Sequence, residues 1–142
     1  MKQIDIYALC SKIILFLNKN SYLSKNSLLY FISLSDFYVD GTMHNKNIKN
    51  INSFKVYSSQ MNSAVAILLA TKLIEPYGYN LRLTASGKIF AHNFSNNKIN
   101  KRLIEKIDYI QQNYINESDL DKIYDELTVN FIESHIGGCY EN

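Results

Sequence analysis

The stretch from Leu73 to Lys88 constrains the fold of this chain more than any other. Ile74 to Tyr77 and Asn80 to Leu83 are two short β-prone runs around a Gly-containing turn, which predicts a hairpin. Pro76 has no amide to donate, so its strand must lie at an edge. Leu81 and Leu83 alternate with Arg82, which therefore points away from the core. Thr84 then stands where the N-cap of a helix running to about Phe94 belongs.

Helical patterns precede this hairpin. Ile6, Leu9, Ile13 and Leu17 recur at spacings of three and four, an amphipathic helix that ends at Asn18-Lys19-Asn20. A second helix is predicted from Ser24, its N-cap, to near Asp40-Gly41. Its Leu28, Leu29, Phe31, Ile32, Leu34 and Phe37 make it almost too apolar for a surface helix, so a central place is expected. Thr42 to Phe54 has no periodicity, many Asn and Lys, and reads as a loop anchored by Ile48 and Ile51. A third helix follows from about Ser58 or Ser59, with Met61, Val65, Leu68, Leu69 and Leu73 apolar. Ser63, Ala66 and Ala70 in it are small enough to permit close packing.

The C-terminal third is helical with a different character. Leu103, Ile107, Ile110 and Tyr114 form a stripe at spacings of four, three and four. A further amphipathic helix opens at Ser118-Asp119 and closes at Gly137-Gly138. Charge changes at the same place. Residues 1–102 carry 13 Lys+Arg against 4 Asp+Glu, or +9; residues 103–142 carry 2 against 9, or −7; the sum is the net +2. A basic body and an acidic tail point to two faces with different partners, or to the tail packing on the body. The expected division is a unit of residues 1–95 followed by acidic helices over 96–142, packing on it or on a partner.

Chemistry-bearing motifs are absent from the sequence. Gly87-Lys88 is no phosphate loop, because Arg82 stands where that loop needs Gly and Ile89 where it needs Ser or Thr. The acids Asp119, Asp121, Asp125 and Glu126 lack the glycine and alternation of a calcium loop. His44, His92 and His135 have no zinc-type spacing to each other or to Cys10 and Cys139. No catalytic residues, metal or cofactor are expected. Two distant cysteines imply reduced thiols. The longest apolar run, Ala64 to Ala70, is far short of the roughly 20 residues a membrane span needs. A soluble, cytoplasmic protein without membrane contact is the expectation.

Three helices, a two-stranded hairpin and a following helix resemble a winged helix-turn-helix domain, and the phrase Leu83-Thr84-x-x-Gly87 is similar to the second wing strand of bacterial members. The resemblance implies a mainly α fold with a two-stranded wing, here extended by C-terminal helices. It also implies DNA contact through the third helix and wing, at Asn62, Lys72, Arg82 and Lys88.

A second resemblance rests on Tyr22-Leu-Ser-Lys-Asn-Ser-Leu-Leu-Tyr-Phe-Ile-Ser-Leu-Ser-Asp36, the small-residue helix after it, and the wing ending Leu81-Arg-Leu-Thr84. Over roughly residues 4–95 the chain resembles the middle components of bacterial three-component ABC-ATPase anti-phage systems of the Lamassu type. That implies a non-enzymatic subunit which docks on an SMC/Rad50-like ATPase and helps control a nuclease effector, with indirect or weak DNA contact. The candidate docking surface is the stripe Leu103, Ile107, Ile110 and Tyr114, a pattern that ordinary core also produces. The alternative is a winged-helix DNA-binding regulator of phage or mobile-element origin.

Overall fold

The computed structural model describes residues 5–35, 38–39, 42–43 and 48–113, with side chains described for 5–35 and 57–113. Helix α1 (Ile6–Lys19) opens with the Asp5 carboxylate accepting from the Tyr7 amide at 2.9 Å. Helix α2 (Lys25–Ser35) opens as the sequence predicts, with the Ser24 hydroxyl accepting from the Ser27 amide at 3.1 Å. Each cap satisfies one of the amides that a helix start leaves without a partner.

Two boundaries differ from expectation. Helix α2 stops at Ser35, because the chain then pairs as a small antiparallel ribbon of β1 (Tyr38–Val39) and β2 (Thr42–Met43). Helix α3 begins at Ile48 and runs to Ala70, so most of the stretch read as a loop is helix. Ile48, Ile51 and Phe54 recur every three residues, a helical spacing that the surrounding Asn and Lys dilute.

The end of α3 is a Schellman motif. Lys72 adopts φ +60°, the Leu73 amide donates to the Leu68 carbonyl at 3.0 Å and the Lys72 amide to Leu69 at 3.1 Å. Strands β3 (Ile74–Tyr77) and β4 (Asn80–Leu83) follow as the expected hairpin. Gly78 occupies the first loop position with φ +61°, the conformation that a type II′ turn demands there. On the far side of β4, Leu23 exchanges both backbone bonds with Leu81, at 3.0 and 2.8 Å. The α1–α2 connection is thus a one-residue third strand, and β3 with Pro76 is the outer edge.

Thr84 caps α4 (Ala85–Asn96) by accepting from the Gly87 amide at 3.0 Å, and its hydroxyl donates to the Lys72 carbonyl at 2.6 Å. Gly87 is required by close approach: a Cβ there would stand 2.0 Å from the Leu73 carbonyl oxygen. A 3₁₀ turn (Lys98–Asn100) leads to α5 (Lys101–Asn113).

Leu9, Ile13, Ile14, Phe16, Leu28, Ile32, Leu34, Leu68 and Ile74 form one core with Ile107 and Ile110 of α5. The second half of α1, Ile13 to Leu17, is buried on every side by α2, α3, α4, α5 and β4, so α1 holds the central place expected of α2. Phe16 stacks on Phe31 at 5.4 Å between ring centres. The fold is mainly helical with a two-stranded antiparallel hairpin between helices, winged-helix-like in element order. Among the described residues no helix is long and apolar enough to cross a membrane.

Candidate functional site

The stripe on α5 faces inward. Ile107 is 1% exposed, Ile110 is fully buried, and Leu103 is half-buried against the same core. Their burial against α1 and α2 corrects the expectation that these residues offer a docking surface, and Tyr114 lies outside the described residues. A stripe at this spacing reports that a face is covered, not what covers it. The acidic helix after Ser118 likewise lies outside the described residues.

The four expected DNA contacts fall into two sets. Asn62 is exposed on α3, where its side-chain oxygen accepts from Lys25 Nζ at 3.0 Å. Lys72 is exposed at the end of α3 in the left-handed conformation described above. The exposed side of α3 also carries Ser58, Ser63, Ala66 and Ala70, so the small residues expected to permit close packing point outward instead.

Arg82 and Lys88 belong elsewhere. Both line an open groove of about 640 Å³ between the end of α1, the outward face of the hairpin and the start of α4. It is lined by Leu17 to Ser21 at the end of α1, Glu75, Arg82 and Leu83 of the hairpin, and Ala85 and Lys88 of α4. Arg82 points outward as the alternation requires; its Nε donates to Glu75 Oε1 at 3.1 Å and its guanidinium lies 4.5 Å from the centre of the Tyr77 ring. Tyr77 in turn meets Tyr22 at 5.3 Å between ring centres.

Lys19, which the sequence offers only as one of many basic residues of the body, brings a third cation to the groove. It pairs with Asp108 of α5 at 2.8 Å, and the neighbouring Asn20 amide donates to Gln111 of α5 and, at 2.8 Å, to the Phe16 carbonyl. The Asn20–Gln111 bond ties the end of α1 to α5 beside the groove wall. No sequence motif marks Lys19, because only folding brings the end of α1 beside β4 and α4.

Among the described residues no group of three or more His, Cys, Asp or Glu side chains converges as a metal site. Cys10 is buried, and this burial, reinforced by the charge of Asp5, raises its thiol above its ordinary value. A thiol so placed is protonated at neutral pH and a poor nucleophile. No protein-family model matches the chain, and no curated protein or solved structure matches it.

Proposed function

We propose that this chain is a non-enzymatic accessory subunit of an SMC/Rad50-like ATPase anti-phage complex, docking on the ATPase and controlling a nuclease effector. The observation that carries this reading is the apolar surface of α4 and the turn after it. Ile89 is 63% exposed and Ile99 87% exposed, with Phe90 beside Ile89. Apolar and aromatic side chains held outward on a folded scaffold are the usual anchors of protein–protein contacts. With the α5 stripe committed to the core, α4 and the 3₁₀ turn take over the docking role.

The test is affinity purification of the tagged chain from its native host, with mass spectrometry of the bound proteins. A Rad50-like ATPase is expected with the unaltered chain and its loss with Ile89→Asp plus Ile99→Asp, both surface changes that leave the core intact. Recovery of the chain without any ATPase rejects the reading.

A second reading, a DNA-binding regulator, is favoured by one observation: the polar, small-residue face of α3 is exposed, with Lys25 at its side. A face of this kind fits the major groove of duplex DNA, where the third helix of a winged-helix domain would lie.

A further inference from the structure

We propose that the groove between the end of α1, the outward face of the β3–β4 hairpin and the start of α4 binds single-stranded nucleic acid. Lys19, Arg82 and Lys88 hold the phosphate backbone, and Tyr77 and Tyr22 provide the surface on which bases stack. This goes beyond the docking reading and does not depend on it.

Three separate elements each bring one cation to the groove, against the single lining carboxylate of Glu75. Lys88 is exposed and makes no ion pair among the described residues. Lys19 and Arg82 do have partners, but all four side chains of those pairs are roughly two-fifths exposed. Ion pairs this wet contribute little, so a phosphate can take their place at small cost. Asn18, Asn20 and Ser21 add polar groups along the same wall.

The hairpin decides which polyanion fits. Its outward face carries Glu75, Tyr77, Asn80 and Arg82, since Glu75 pairs with Arg82 and Tyr77 with Asn80. Arg82 belongs both to the groove and to an aromatic cluster, with the Tyr77 ring beneath its guanidinium and Tyr22 tilted against Tyr77. Tyr77 and Tyr22 are 45% and 49% exposed, so both are reachable from solvent. A cationic groove that tracks a backbone, bordered by exposed rings that accept any base, is how sequence-tolerant single-strand binders work. A stiff duplex instead calls for an element projecting into its own groove, and this site is concave.

Fluorescence anisotropy of the full chain with labelled dT and U oligonucleotides, in low and moderate salt, tests the proposal. Binding of either oligonucleotide is expected to weaken steeply as salt rises. Lys88→Glu should weaken it several-fold or more, whereas Lys98→Glu, the same charge change outside the groove, should leave it nearly unchanged. Tyr77→Ala should weaken it about tenfold, the loss expected of one base stack. Tyr22→Ala is the companion variant, and circular dichroism checks that each variant is folded. Binding of dT alone or of U alone supports the proposal and identifies which of the two strands the groove takes. No binding of either strand at low salt overturns the proposal. So does binding that neither tyrosine variant alters, which would make the groove a general polyanion surface. Preference for blunt duplex over both single strands overturns it as well, in favour of α3.

Discussion

Lys72 holds a left-handed backbone conformation in which a side chain meets the following carbonyl, and most Schellman ends avoid that cost with glycine. Three bonds keep it there: its own amide to Leu69, the Leu73 amide to Leu68, and the Thr84 hydroxyl to its carbonyl. Lys72→Gly should therefore raise unfolding stability by up to about 1 kcal/mol, since relief of the strain outweighs the added freedom of the unfolded chain. A urea titration reads this as a higher midpoint at constant slope. A lower midpoint would mean that the lysine side chain itself supports the fold. Thr84 was legible in the sequence because a cap has a signature in residue type and position. Lys72 was not, because the usual marker of such an end, a glycine after the helix, is missing.

Elements were legible where local pattern and tertiary packing agree. The hairpin, its edge proline, the outward Arg82 and the start of α2 follow from alternation and capping chemistry alone. The start of α3 did not, since Asn and Lys around Ile48, Ile51 and Phe54 dilute the helical spacing. The end of α2 is hidden for the opposite reason: Phe37, Tyr38 and Val39 extend its apolar run, while pairing with β2 makes Tyr38 and Val39 a strand. Helix α5 is legible as amphipathic, but whether the body or a partner covers its stripe is not. Because Ile107 and Ile110 sit in the core with α1 and α2, placing Asp at both should cost at least about 4 kcal/mol and unfold the chain. Loss of the cooperative thermal transition in circular dichroism is the expected result; a folded double variant would return the stripe to the surface.

Among the described residues, two groups of cations lie on separate surfaces. Lys25 flanks the exposed side of α3 and Lys72 ends that helix, while Lys19, Arg82 and Lys88 meet in the groove formed without α3. The two surfaces can be separated by charge reversal. If the DNA-binding reading holds, Lys25→Glu with Lys72→Glu should weaken duplex binding and reduce its salt slope by about one to two. Binding unaltered in a salt titration would remove α3 as the contact. The groove itself was only half legible: Arg82 and Lys88 lie close in sequence, but their convergence with Lys19 and Tyr22 exists only once three elements are packed. Sequence windows register neighbours along the chain, and a site assembled across it leaves no such trace.

The bond pair between Leu23 and Leu81 carries a consequence for accuracy of assembly. A strand slipped by one position turns every side chain to the opposite face, which here would bury Arg82 and expel Leu81 and Leu83. Within the ribbon, the turn and the burial of one face set the alignment. Leu23 adds an independent check from the other edge, and it belongs to a segment that leaves the ribosome well before the hairpin does. The junction of α1 and α2 thus pins the hairpin's register from the edge opposite its outer strand.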